Sequence, residues 1–106
     1  MKVGFGWLIL IASIVLPLPA SAEGLSVRQQ ELEHLLKHDC GSCHGMSLQG
    51  GLGSSLLPDD LKERSDDALF LTIKQGLPGL AMPPWGPLLS DSDIQWLVER
   101  LRKGSI

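Results

Sequence analysis

Cys40-Gly41-Ser42-Cys43-His44 decides how this 106-residue chain is read. A Cys-x-x-Cys-His run is the attachment signature of a c-type haem, and its chemistry explains its spacing. Each thiol adds across one vinyl group of the porphyrin, and the two vinyls lie a short, fixed distance apart. Two intervening residues let one tight turn present both sulfurs. His44 then falls beneath the ring, where its imidazole can bind iron. The pentapeptide predicts one covalent haem c, with Cys40 and Cys43 as attachment points and His44 as the proximal iron ligand.

Three other chemistries use the same residue types. A thioredoxin-like dithiol wants a βαβ context, and no strand-rich segment precedes Cys40. A zinc site would gather His34 and His38 with Cys40 and Cys43, but this is not a familiar zinc spacing and it leaves His44 without a task. A disulfide between Cys40 and Cys43 closes too small a ring to stabilise much. The haem reading accounts for all three residues.

The N-terminal segment reads as a secretory signal peptide over residues 1–22. Lys2 supplies the positive end, Val3 to Leu18 is almost wholly apolar, and Ala20-Ser21-Ala22 is a small-residue cleavage site. The apolar stretch is short for a spanning helix, which needs about 20 residues. The expectation is an exported chain with no stable membrane anchor, cleaved near Ala22 and starting near Glu23. Residues 23–106 then form one small domain. The formal net charge of −3 offers no basic patch for nucleic acid. A domain this short is marginal on an apolar core alone, and a tethered planar cofactor would complete that core. In a bacterium, export and haem attachment together place it in the periplasm. Both cysteines are used by the haem, so no disulfide is expected.

The rest of the chain reads as helices separated by two long loops. Ser26 and Gln29 form a capping box for a helix to about Lys37 or Asp39, with Leu32, Leu35 and Leu36 as its apolar stripe. His34 and His38 lie on another, solvated part of its surface. Gly45 to Ser55 is a glycine-rich loop that lets backbone approach a flat ligand. Pro58 can start a short helix through about Glu63. Ser65 caps a helix from Asp66 to about Gln75, apolar at Ala68, Leu69, Leu71 and Ile73, and Gly76 stops it. Leu77 to Pro87 carries four prolines and two glycines, which forbid regular structure. Ser90 caps a last helix with Ile94, Leu97, Val98 and Leu101 on one face, and Gly104 closes it. The fold class is all-α, helices wrapped around one haem.

The far side of the iron needs a second ligand if the protein is an electron carrier. Met46, His34 and His38 lie too close to His44 in the chain to reach the opposite face. Met82 follows a helix that can carry the chain around the ring, and Pro78, Pro83 and Pro84 stiffen its loop. Met82 is therefore the expected distal iron ligand. A soft sulfur ligand favours ferrous iron and raises the reduction potential. Two protein ligands leave no position for oxygen, peroxide or nitrite, so the expected role is carrier and not enzyme.

Cys40 to Gly45, Ile73-Lys74-Gln75-Gly76, Met82-Pro83 and Leu89-Ser90-Asp91 together resemble the class I cytochromes c. The resemblance covers essentially all of residues 23–106 and implies a small class I cytochrome c fold. His38-Asp39 before the attachment site, Gly50-Gly51-Leu52-Gly53 and Met82-Pro83-Pro84-Trp85 narrow it to the small monohaem cytochromes c encoded beside cytochrome cd nitrite reductase in denitrifying bacteria. That resemblance implies a monomeric periplasmic electron carrier serving dissimilatory nitrite reduction. Its partner would be the nitrite reductase itself or the machinery that matures the d-type haem. An electron-delivering assembly factor is thus an alternative role, and a small haem enzyme with an open sixth position is another. Two departures stand out. Gly53-Ser54 replaces the family's Gly-Pro, whose carbonyl receives the proximal histidine's Nδ1 proton. Arg100 stands where the last helix usually carries an aromatic, and Trp96 one turn earlier is the candidate substitute. Trp85 is expected at the haem edge or simply buried in its loop. Leu77 to Ala81 is expected to border an exposed apolar edge, beside acidic residues at Asp59, Asp60, Glu63, Asp66 and Asp67.

Overall fold

Ile94, Leu97, Val98 and Leu101 recur at three- and four-residue spacing, so they fall on one face of a helix and are buried together. Burying each contributes roughly 1.5–3 kcal/mol. The helix that carries them organises the domain. The computed structural model describes residues 2–4, 6, 11–17 and 24–104. In chain order these contain α1 (Val27–Leu35), a π-helical stretch (Leu36–Cys40), α2 (Gly41–His44), α3 (Pro58–Leu61), α4 (Asp66–Gln75) and α5 (Asp91–Lys103). No strand occurs among the described residues. Helix α5 packs against α1, α3 and α4. Leu32 and Leu36 enter the same core from the first helical run, Leu61 from α3, Leu69 from α4, and Leu48 and Leu89 from loops.

Local chemistry starts each main helix where the sequence places it. Ser26 Oγ accepts the Gln29 N–H at 3.1 Å, and Gln29 Oε1 accepts the Ser26 N–H at 3.1 Å. Ser65 Oγ accepts the Ala68 N–H at 3.1 Å. Ser90 and Asp93 form a second reciprocal box, 3.1 and 3.0 Å long, which satisfies two of the otherwise unpaired N–H groups of α5. Gly104 ends α5 in the left-handed region at φ 70°, and a Cβ there would lie 2.6 Å from Pro58 Cγ.

Ion pairs lock α5 to its neighbours. The Arg28 guanidinium forks onto Asp93, with Nε 3.2 Å from Oδ1 and Nη2 2.7 Å from Oδ2. This bond holds the Asp93 carboxyl down at about 2 against an ordinary 3.8, despite the opposing effect of its burial. Arg100 pairs with Glu33 of α1, and its guanidinium lies 6.0 Å from the Trp96 ring centroid. The position expected to be aromatic therefore joins α1 to α5 by charge, while Trp96 packs against the buried cluster. Arg102 donates to Asp66 at 2.9 Å and to the Leu61 carbonyl at 2.8 Å, fixing the turn between α3 and α4.

Several expectations are corrected. The first helix does not stop near Lys37 or Asp39; helical winding continues through His44, widened over Leu36–Cys40. The short helix after Pro58 ends at Leu61 and not Glu63. The apolar side of α4 is narrower than its composition suggests. Only Leu69 is buried, with Phe70 and Ile73 packed beside it, while Ala68 and Leu71 face solvent. The expected cleavage site near Ala22 lies outside the described residues. No helix among the described residues is long and apolar enough to cross a membrane.

Candidate haem site

Cys40, Cys43 and His44 sit at positions i, i+3 and i+4 of a continuous helical run, spacing that places them on one face. The sequence suggests a tight turn; a helix meets the same requirement. Cys40 closes the π-helical stretch, while Cys43 and His44 belong to α2. All three side chains are partly buried. Burial, aided by the charge of Asp39, pushes the Cys40 thiol up to about 11. As a free thiol, Cys40 therefore stays protonated at neutral pH.

The loop after His44 folds back and closes the helix end. Gly53 N donates to the Cys43 carbonyl and Gly50 N to the His44 carbonyl, both at 2.7 Å. These are carbonyls that a helix C-terminus leaves without partners. The return passes through Leu48, which is buried with φ 59°. That conformation costs a residue with a Cβ about 1–2 kcal/mol. Burial of the leucine side chain, worth about 1.5–3 kcal/mol, offsets it.

This fold-back places the Ser54 carbonyl oxygen 2.7 Å from His44 Nδ1. A carbonyl only accepts, so Nδ1 carries a proton, and in the neutral imidazole Nε2 is then the nitrogen whose lone pair can bind a metal. Serine in place of proline thus preserves the contact, because the acceptor is a main-chain atom. Gly53 makes it possible. A Cβ at position 53 would lie 2.7 Å from both Cε1 and Nδ1 of the His44 ring. The glycine-rich composition marked this loop as one of close approach; that the approach is to the histidine ring appears only in three dimensions.

Met82 is placed by a different device. Its half-buried side chain belongs to a loop whose backbone caps α4. Trp85 N donates to the Ile73 carbonyl at 2.9 Å, and Gly86 N to the Lys74 carbonyl at 3.0 Å. Leu77 N donates to the Met82 carbonyl at 3.1 Å. Gly76, buried at φ 65° and ψ −169°, makes the sharp exit from α4. A Cβ there would lie 2.6 Å from the Met82 carbonyl oxygen and 2.8 Å from Pro84 N. Trp85 is partly buried against the core, and Leu77 to Ala81 are exposed. His34 and His38 remain on the solvent side of the first helical run.

The donor set fits a covalently held haem. Two sulfurs and a histidine share one helix face, and a third sulfur sits on a braced loop. The first three residues are brought together by one element, whereas Met82 is positioned separately through α4.

Comparison with known proteins agrees. Residues 27–99 match the family described as cytochrome C oxidase, cbb3-type, subunit III. Cytochrome c55X of Pseudomonas aeruginosa is 46% identical over 102 residues, covering 94% of this chain and 86% of that protein. Cytochrome c55X of Stutzerimonas stutzeri is 44% identical over 97 residues, covering 92% and 86%. Among solved structures, the c-type cytochrome NirC matches with a TM-score of 0.74 at 48% identity, over 77% of this chain and 96% of that one. Dihydro-heme d1 dehydrogenase NirN in complex with DHE matches with a TM-score of 0.62 at 31% identity, over 66% of this chain and 15% of that one. The helical fold, the Cys-x-x-Cys-His spacing and these similarities lead to one conclusion: the chain belongs to the small class I c-type cytochromes associated with nitrite reductase, and its cofactor is covalently bound haem c.

Proposed function

We propose that this cytochrome is a periplasmic one-electron carrier serving dissimilatory nitrite reduction. Cys40 and Cys43 hold the haem, and His44 and Met82 ligate its iron. When bound, the haem supplies a ferric–ferrous couple. The observation that carries the reading is the 2.7 Å bond between His44 Nδ1 and the Ser54 carbonyl. It selects the tautomer that can ligate a metal and orients the ring. Met82 offers a neutral, polarisable sulfur from a loop that main-chain bonds hold in place. With both axial positions filled by side chains, small substrates have no place to bind, which separates a carrier from an enzyme. Export follows from the signal peptide read over residues 1–22.

Docking would use the exposed Leu77–Ala81 edge together with the acidic side chains of Asp59, Asp60, Glu63, Asp66 and Asp67. A partner with a basic rim suits that surface, and association should slow as salt rises. Mixing the reduced protein with oxidised cytochrome cd nitrite reductase in a stopped-flow instrument tests the proposal. Rapid oxidation that slows with ionic strength is the expected result. No electron transfer would remove nitrite reductase as the partner. Rapid stoichiometric carbon monoxide binding to the reduced protein, without denaturant, would replace the carrier with a haem protein having an open sixth position.

A second reading rests on the likeness to part of NirN, a protein named as a dihydro-heme d1 dehydrogenase. In that reading the cytochrome exchanges electrons during maturation of the d-type haem. A deletion strain separates the two. Nitrite reductase with its cofactor complete but without a donor supports the carrier, and nitrite reductase lacking mature cofactor supports the assembly role.

A further inference from the structure

His34 and His38 are both exposed, one in the last turn of α1 and the other in the π-helical stretch. Their ring centroids lie 4.2 Å apart with the planes tilted by 43°. Together with Gln30, Glu33 and Lys37 they line a shallow surface depression. Neither imidazole is needed by the haem site, whose residues are Cys40, Cys43, His44 and Met82. We propose that His34 and His38 chelate one divalent first-row transition-metal ion at the surface, with Cu2+ preferred.

Imidazole nitrogens bind such ions at about 2.0–2.1 Å, so two of them at right angles around one metal lie about 2.9 Å apart. Each ring centroid lies about 1.1 Å beyond its nitrogen, so such ligands have centroids roughly 4.5 Å apart, close to the 4.2 Å between His34 and His38. Four-residue spacing on a helical run brings both side chains to one face, so most of the cost of gathering them is met by the fold. Cys40 and Cys43 do not complete a tetrahedral zinc site, because sulfurs bonded to haem are no longer thiolates. The Glu33 carboxylate is engaged by Arg100. Among the described residues no group of three or more such donors forms, so solvent fills the remaining positions. A bidentate nitrogen site open to water favours Cu2+ over Ni2+ and Zn2+ by the usual order of stability. Lys37 opposes a cation, but its side chain is exposed and its charge is screened by solvent and salt.

The test uses the holo-cytochrome titrated with copper(II) sulfate, followed by calorimetry and electron paramagnetic resonance. One Cu2+ per chain is expected, with hyperfine splitting from coordinated nitrogen. His34→Ala and His38→Ala should each weaken binding on the order of 100-fold, because each removes the chelate. The double variant should show no saturable uptake, and Zn2+ should bind the native protein more weakly than Cu2+. An unchanged haem absorption spectrum in each variant establishes that the fold is intact, and this readout does not depend on the carrier reading. Copper uptake that survives the double substitution, or native protein showing no saturable uptake, would overturn the proposal.

Discussion

The segments around His44 and Met82 are both held by main-chain hydrogen bonds, but the bonds close over different distances in the chain. Around His44, the loop Gly45–Ser54 folds back on the helix immediately before it, so one stretch of sequence builds its own support. Around Met82, the loop Leu77–Gly86 is tied to the last carbonyls of α4, and α4 in turn is fixed by the core and by the Lys74–Asp91 and Arg102–Asp66 ion pairs. The histidine side thus depends on local fold-back anchored in the core at one point, Leu48, and the methionine side on the packing of the whole domain. Loss of global stability should loosen Met82 before His44.

Substitutions can break this contrast. The largest effect is expected from replacing Cys40 and Cys43 together with alanine. Covalent haem should then be absent from denatured exported protein, as read by mass spectrometry. Met82→Ala comes next. It should abolish the weak sulfur-to-iron band at the red end of the visible spectrum. It should also lower the midpoint potential within the roughly 0.8 V range that axial ligands span. Stability should fall little, because the loop bonds at Met82 use its backbone carbonyl. An unchanged spectrum would reject Met82 as the ligand.

Two glycine substitutions sharpen the contrast. Gly76→Ala forces a Cβ against the Met82–Pro84 backbone and a strained conformation on alanine. It should cost about 1–3 kcal/mol in thermal or denaturant unfolding and weaken the sulfur band. Gly53→Ala pushes instead on the His44 ring. It should cost about 1–3 kcal/mol, shift the His44 ring-proton resonances and leave the sulfur band in place. Equal loss of that band in both variants would erase the distinction between the two sides.

The smallest effect is expected at Asp93, remote from both. Its carboxyl is held near 2 against an ordinary 3.8, so its contribution is complete above about pH 4 and lost as pH falls toward 2. Asp93→Asn should lower stability near neutral pH and flatten the dependence of stability on pH between about 4 and 2. Unfolding by denaturant across that range checks the sign.

Helix starts were readable because their chemistry is local. Ser26, Ser65 and Ser90 each bond a backbone N–H three residues on, an arrangement any helix of that sequence would adopt. The attachment pentapeptide was readable for a similar reason, its spacing being dictated by a rigid cofactor. The widened winding over Leu36–Cys40, the left-handed Leu48 and the Glu33–Arg100 pair were not readable. Leu48 tolerates its backbone conformation only because the core accepts its side chain. Arg100 departs from the expected aromatic because its partner lies on another helix. Proline in place of Ser54 would have announced the histidine contact, yet the acceptor is a carbonyl that every residue possesses.

By itself the amino-acid order pointed to a helical protein, to haem attachment at one Cys-x-x-Cys-His run, and to the side chains that are candidates to ligate the iron. Those conclusions rest on spacings within a few residues and on the fixed dimensions of the cofactor. Only the tertiary structure decided which nitrogen of His44 is left free and how Met82 is held. Both depend on backbone atoms that meet after the chain has folded: the Ser54 carbonyl against Nδ1, and the Met82 loop against the end of α4.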